Sequence, residues 1–188
     1  MIDAMILARK ARPRKTVEDF MNLPEGCRAE LIDGELYLSP ARRVPHQWAV
    51  GNLYALLAPF AHSRKLGKVY LAPFDVHLPS GDIVEPDILF VAWGNLGIVQ
   101  DWVRGVPDLV VEVLSPDGIE RDRFVKRDLY ASNGVREYWI VDPEAKAIEV
   151  FVLRDGGYDA SGYFEIDDIL VSPLLPELKL PVAGVFAE

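Results

Sequence analysis

The chain has 188 residues, of which 50% are hydrophobic and 26% charged, and this composition excludes a disordered chain and favours one domain with a full core. The formal net charge of −9 excludes a uniformly basic nucleic-acid-binding surface, so such a role would need local basic patches or metal ions. Cys27 is the only cysteine, which excludes an internal disulfide and a zinc site built from cysteines.

The N-terminal residues predict neither a secretion signal nor a membrane anchor. A short apolar piece precedes basic residues, which reverses the order found in a secretory signal. No apolar run approaches the ~18 residues of a membrane-spanning helix. We expect a cytoplasmic protein with no membrane contact, in which residues 1–15 form a basic arm and residues 16–188 form a single domain.

The first predicted elements are a short helix and a β-hairpin. Thr16 and Asp19 have the spacing of a helix N-cap, which predicts a helix in "TVEDFMNL". Two extended runs flank Asp33-Gly34, a dipeptide typical of hairpin turns. Because this hairpin precedes the central elements, we expect it to be an addition to the main sheet.

A long helix and two strands come next. Trp48, Leu53 and Leu57 recur at helical spacing after Pro45, which predicts a helix with these residues on one side. The segments "KVYLAPFDVHL" and "IVEPDILFVA" predict two strands joined by a turn at residues 79–82.

The second half continues with a central strand, a helix and further strands. The run "DLVVEVL" is almost continuously apolar, as expected of a strand that is covered on both faces. Asp117 and Gly134 predict the start and the end of a helix, with Phe124 and Leu129 on its core side. "REYWIVDP", "KAIEVFVL" and "GYFEI" predict further strands, so the order indicates an α/β fold with a mixed central β-sheet flanked by helices.

Two acidic residues interrupt the predicted core strands. Glu112 lies within "DLVVEVL" and Asp87 within "EPDILFV", where a carboxylate is costly unless it is bound. Strand side chains alternate between faces, so the two acids converge on one side if their strands are neighbours. Such a pair is tolerated if one acid is protonated, if a basic side chain pairs with them, or if a divalent cation lies between them.

The helix after Glu112 offers a basic partner. Asp122, Lys126 and Tyr130 are spaced by four residues and form one stripe, from which Lys126 could extend toward the carboxylates. The alternative is a surface pair between Asp122 and Lys126, which would contribute only ~0.3–0.5 kcal/mol.

These residues resemble the motif of a nuclease superfamily. Pro86-Asp87, then "VVEVLSP", Lys126 and "GVREYWIVDP" occur in the order found in the PD-(D/E)XK superfamily. Over residues 30–152 the chain is similar to a family of predicted restriction endonucleases that is expanded in cyanobacteria and other bacteria. The resemblance implies a restriction-endonuclease-like core, with an extra N-terminal β-hairpin in this chain.

The resemblance also implies a site. Asp87, Glu112 and Lys126 would be catalytic, with Asp87 and Glu112 as ligands of Mg²⁺, for which Mn²⁺ could substitute. The chain departs from the plain motif at Leu114, where the lysine is expected, and Lys126 would supply it from the helix. Glu30 and His46 match family positions and are accessory candidates; the alternatives are a charge beside the turn for Glu30 and a cap or surface residue for His46.

The predicted function is therefore a metal-dependent endonuclease that hydrolyses DNA phosphodiester bonds. The alternative is a catalytically inactive nuclease-fold binding module in a larger assembly, which the Leu114 departure and the net charge favour. A serine hydrolase is disfavoured, because the chain has no G-x-S-x-G elbow. The basic arm and the exposed N-terminal hairpin could exchange with a second copy of the chain, so a homodimer is a further prediction.

Overall fold

The structure is a computed structural model that describes residues 13–39 and 41–187. Most of the basic arm predicted for residues 1–15 therefore lies outside the described residues. The helical elements are α1 (Val17–Met21), α2 (Val44–Ser63), a 3-10 helix (Trp93–Ile98), a π-helical segment (Arg121–Lys126), α3 (Arg127–Asn133) and α4 (Val182–Val185). The strands are β1 (Ala29–Ile32), β2 (Glu35–Leu38), β3 (Gly67–Leu71), β4 (Val76–His77), β5 (Ile83–Val84), β6 (Ile88–Ala92), β7 (Val103–Arg104), β8 (Leu109–Val113), β9 (Glu137–Asp142), β10 (Ala147–Arg154), β11 (Gly157–Phe164), β12 (Ile169–Leu170) and β13 (Leu180–Pro181).

A mixed six-stranded sheet is the centre of the fold. Its strand order is β11-β10-β9-β8-β6-β3, in which β8 and β9 are parallel and the other neighbours are antiparallel. On one face, Leu53 and Leu57 of α2 pack against Ile88 and Val111 of the sheet. The other face carries a second apolar cluster beneath the helical segment around Tyr130 and the smaller sheet. This confirms the predicted α/β fold with a mixed sheet flanked by helices.

The predicted N-terminal hairpin belongs to a second, five-stranded sheet of order β2-β1-β5-β4-β7. Its turn residues Asp33 and Gly34 both have positive φ, at 50° and 75°, as a two-residue turn of this kind requires. Thr16 caps α1 through the reciprocal hydrogen bonds with Asp19 that their spacing predicts. β2 lies at the sheet edge, where a second copy could pair, and the homodimer stays a prediction.

The prediction of two strands before residue 93 is wrong in one respect: each predicted strand is divided into two shorter strands in the structure. Proline has no N–H to donate to a sheet ladder, and Pro73 and Pro86 lie at the two breaks. Consequently β3 and β6 pair in the central sheet, whereas β4 and β5 pair in the smaller one. The predicted turn at residues 79–82 joins β4 to β5.

Two side chains differ from their predicted positions. Phe124 is 58% exposed and Trp48 is 49% exposed, so neither belongs to the core. The helical region begins after Asp117, since the N–H of Asp122 donates to the carbonyl of Gly118. Gly134 ends α3 in the left-handed conformation, as predicted.

Among the described residues, no helix combines the length and apolarity needed to cross a membrane.

Candidate active site

Asp87 and Glu112 lie on the same face of the central sheet. β6 and β8 are antiparallel neighbours, with Leu89 opposite Val110. Extending this register by two residues places Asp87 opposite Glu112, on the face that Leu89 and Val110 share. The structure thus brings together the two acids that the alternation predicts, at the point where β6 begins.

The carboxylate of Asp87 is buried and fixed through one oxygen. Its Oδ2 accepts hydrogen bonds from His46 Nε2, at 3.2 Å, and from the N–H of Val113, at 2.8 Å. Burial alone would raise the pKa of Asp87, but the hydrogen bond and charge of His46, followed by the Val113 N–H and the charge of Arg42, lower it. Asp87 is therefore ionised, and its Oδ1 accepts no hydrogen bond from the described residues.

The carboxylate of Glu112 is also fixed through one oxygen. Its Oε1 accepts hydrogen bonds from Lys126 Nζ, at 2.8 Å, and from the Tyr130 hydroxyl, at 2.7 Å. Burial raises the pKa of Glu112 to about 8, although the Lys126 ammonium opposes the rise. Because Oε1 already receives two donors, a proton on Glu112 belongs on Oε2, which has no partner among the described residues.

Lys126 projects from the π-helical segment into this cluster. Its side chain is 1% exposed, and Nζ lies 2.7 Å from Glu30 Oε1, 2.8 Å from Glu112 Oε1 and 3.6 Å from Asp122 Oδ1. Burial works to lower the pKa of Lys126, but the three carboxylates outweigh it and raise the pKa. The alternative of a surface Asp122–Lys126 pair is wrong, since both residues are buried.

The two accessory candidates are part of the same cluster. Glu30, on β1, is 2% exposed, and its Oε1 also accepts from the N–H of Glu85 at 3.0 Å. His46, in the first turn of α2, is 4% exposed and donates to Asp87 as described above. Neither residue is therefore a surface charge or a surface cap, and their accessory roles stay predictions.

Sequence reasoning did not assign four further residues that surround the cluster. Asp122 is 3% exposed and its Oδ1 has no hydrogen-bond partner among the described residues, while Tyr130 binds Glu112. The four-residue spacing of Asp122, Lys126 and Tyr130 was the signal that could have placed all three in the site. The sequence carries no such signal for Arg42 and Arg121, because their approach to the carboxylate cluster depends on how the five-stranded sheet packs against the central sheet.

The cluster contains more buried negative charge than positive charge in contact with it. Glu30, Glu112 and Asp122 surround Lys126, and Asp87 lies opposite Glu112 on the neighbouring strand. A second cation, Arg121, lies 3.8 Å from Glu30. Such an excess is relieved by retained protons or by a divalent cation. The carboxylate oxygens of these acids are hard donors, which suit a hard cation.

The donor set fits Mg²⁺ in its chemistry. Among residues 13–39 and 41–187, no group of three His, Cys, Asp or Glu side chains is arranged as a complete metal site. Mg²⁺ keeps several waters and is bound through one or two carboxylates plus substrate phosphate. Asp87 Oδ1 and Glu112 Oε2, which have no hydrogen-bond partner among the described residues, could supply those two ligands.

Comparisons with known proteins agree with this reading of the fold. The model of the Uma2 family, described as "Putative restriction endonuclease", matches residues 17–183. A crystal structure of a protein from Anabaena variabilis, described as a putative nuclease belonging to DUF820, superposes with a TM-score of 0.77 at 19% identity, covering 92% of this chain and 97% of that one. At that identity the likeness shows a shared fold. No curated protein matches the chain. The matched residues include every predicted site residue, and the chain belongs to the Uma2 family of putative restriction endonucleases.

Proposed function

We propose that the protein is a metal-dependent endonuclease that hydrolyses DNA phosphodiester bonds, with Mg²⁺ as its metal and Mn²⁺ as a substitute. The observation that carries the proposal is the buried pair Asp87 and Glu112. In each, protein donors fix one oxygen, and the other has no partner in the part of the chain that the structure describes. Membership of a family of putative restriction endonucleases supports nuclease activity.

Asp87 and Glu112 would hold the ion through their unpartnered oxygens. Bound there, Mg²⁺ would polarise the scissile phosphate and lower the pKa of an attacking water. His46 keeps Asp87 ionised at the pH where it must bind a cation. Tyr130 and Lys126 hold the carboxylate of Glu112 in one orientation, which directs Oε2 away from both donors.

Lys126 would act as a fixed positive charge. Its raised pKa excludes a role as general base, because the ammonium keeps its proton at neutral pH. A buried ammonium next to the phosphate stabilises negative charge that develops in the transition state. Glu30 contributes by holding Nζ at 2.7 Å and so positions the lysine.

The test is cleavage of supercoiled plasmid DNA with Mg²⁺, with Mn²⁺ or with EDTA. We expect nicking with either metal and none with EDTA. Glu112→Gln should lower the rate by at least about 100-fold, since the loss of one preorganised charged group has effects of that order. Glu144→Gln, at an exposed position in the β9–β10 turn, is the control and should cleave normally. Equal rates for Glu112→Gln and the unmodified protein would eliminate the mechanism.

The second candidate is a nuclease-fold binding module without activity. It is favoured by the near-complete burial of Glu112 and Lys126, each 1% exposed, and by the net charge of −9. This alternative predicts Mn²⁺ binding by calorimetry without cleavage of plasmid DNA, single-stranded DNA or RNA under the same conditions.

A further inference from the structure

Two arginine side chains beside the carboxylate cluster carry hydrogen-bond donors that the fold leaves unused. The Nε atoms of Arg42 and Arg121 are buried, and neither has a hydrogen-bond partner among the described residues. A buried donor without an acceptor is costly, and in native proteins such a donor calls for a partner. An anionic ligand would supply acceptors for both.

The two guanidinium groups approach the same short turn, formed by residues 115–118. Arg42 Nη1 donates to Ser115 Oγ at 2.8 Å. Arg121 Nη2 would lie 3.5 Å from a methyl group at Gly118, and Ser115 Oγ would lie 3.3 Å from it. Because Gly118 has no side chain, the space between these polar groups stays open.

Arg121 also lies between an outer cavity and the buried acids. It lines a cavity of about 660 Å³ together with Tyr37 and Pro116, and its guanidinium stacks over the Tyr37 ring at 5.2 Å from the centroid. On its other side, Nε is 3.8 Å from Glu30 Oε2, which is too long for a hydrogen bond. The guanidinium can therefore turn toward a ligand in the cavity without losing a hydrogen bond to Glu30.

The neighbouring charges include acids as well as the two arginines. Asp122 Oδ2 faces the Gly118 position at 3.1 Å, and burial raises the pKa of Asp122, which reduces the negative charge a ligand would meet. Asp117 and Glu120 line the cavity but are exposed, so solvent and salt screen them. Arg42 lies close enough to Asp87 for its charge to act on that carboxylate.

We propose that Arg42 and Arg121 form a phosphate clamp, which binds a phosphodiester group of the nucleic acid over the turn of residues 115–118 and beside Asp87 and Glu112. The clamp rests on the proposed nuclease function and names the residues that hold its substrate. Guanidinium groups suit this role because their planar, always-charged fork matches the geometry of phosphate oxygens.

The test measures binding without a divalent metal, so that no cleavage is needed. Inorganic phosphate is titrated while the thermal midpoint is recorded, and a 20-base-pair DNA duplex is titrated in EDTA at several salt concentrations. Arg42→Gln and Arg121→Gln should each weaken the binding of phosphate and of DNA by about tenfold or more. Each should also lower the salt slope of DNA binding by about 1. Arg123→Gln is the matched control, because that guanidinium is already engaged by Asp142 and Glu149.

Gly118→Ala keeps both arginines and tests the space between them. The added methyl group would fill the open position and should weaken phosphate binding at least about fivefold, with no change in far-UV circular dichroism. This variant decides the matter if an arginine substitution disturbs folding.

The clamp is wrong if Arg42→Gln, Arg121→Gln and Gly118→Ala all bind phosphate and DNA as the unmodified protein does, or if Arg123→Gln weakens binding equally. An inactive protein with arginine-dependent phosphate binding would contradict the nuclease proposal and leave the clamp standing. An active nuclease in which both arginine variants bind phosphate and DNA normally would contradict the clamp and leave the nuclease proposal standing.

Discussion

Lys126 Nζ lies 2.8 Å from Glu112 Oε1, although 14 residues separate them in the chain. The lysine of the plain motif would stand two residues after the acid, where this chain has Leu114, which is buried in an apolar cluster. The strand position thus serves the core, and the ammonium reaches the acid from the π-helical segment.

Replacing Lys126 should destabilise the fold most strongly at high pH. Lys126→Met leaves buried carboxylates without their ammonium, which costs about 3–5 kcal/mol. The pKa of Glu112 is already raised by burial and would rise further, so the folded state binds more protons than the unfolded state above the usual pKa of a glutamate. Stability should therefore fall as the pH rises from 5 to 8, measured by urea denaturation.

The control is Lys179→Met, at an exposed position. It should change the free energy of unfolding by less than about 0.5 kcal/mol at both pH values. A Lys126→Met variant as stable as this control at pH 8 would show that the ammonium does not compensate the buried acids.

Metal affinity should increase with pH. With the pKa of Glu112 raised to about 8, a proton occupies the carboxyl below that pH and must leave before Mn²⁺ binds. The apparent affinity should rise by up to about tenfold per pH unit between pH 5.5 and 7.5. Calorimetry measures it, and Glu112→Gln should bind weakly with no such dependence. A flat profile in the unmodified protein would contradict the assignment of Glu112 as a ligand.

His46→Ala should weaken metal binding more at low pH than at high pH. The substitution removes the hydrogen bond to Asp87 Oδ2 that counteracts burial, so the pKa of Asp87 rises. Mn²⁺ affinity should drop by about threefold to tenfold at pH 6 and by less at pH 8. His62, which is exposed near the other end of α2, provides the control His62→Ala. Identical titrations for the two variants would remove His46 from the site.

Tyr130→Phe tests the hydroxyl that orients Glu112. Burial and then the charge of Glu112 raise the pKa of Tyr130, so the hydroxyl remains a donor at all ordinary pH values. Its loss should cost about 1 kcal/mol of stability and lower kcat with little change in KM. Tyr158→Phe removes a partly buried hydroxyl that donates to the carbonyl of Val135 instead. That control should lose similar stability and keep full kcat; an equal fall in kcat for both would indicate a general packing effect.

The sequence predicted the acids of the site through strand periodicity. Both strands are apolar enough to be recognised, and their side chains alternate between the two faces of the sheet. Asp87 and Glu112 therefore lie on the same face because β6 and β8 are neighbours. The family motif supplied Lys126, and the four-residue spacing placed it on one stripe with Asp122 and Tyr130, from which it could extend toward the carboxylates.

Other features depend on contacts that are distant in the chain. Pro73 and Pro86 interrupt two apolar runs, but whether the fragments join one sheet or two is decided by tertiary pairing. Phe124 lies between Asp122 and Lys126 in sequence, and its exposure follows from burial of the stripe on the opposite side. The approach of Arg42 and Arg121 requires the hairpin, α2 and the turn at residues 115–118 to be assembled first.

The π-helical segment sets the rotational phase of the helix that carries the site. In an α-helix, a step of four residues overshoots one turn by about 40°, so Asp122, Lys126 and Tyr130 would drift around the axis. The wider turn at Arg121–Lys126 undershoots instead, and the drift over the next four residues brings Tyr130 back into line with Asp122. If these residues formed a regular α-helix of the same length, the two 40° steps would add, and Tyr130 would turn about 80° away from Asp122, so one stripe could no longer present all three polar groups to the buried acids.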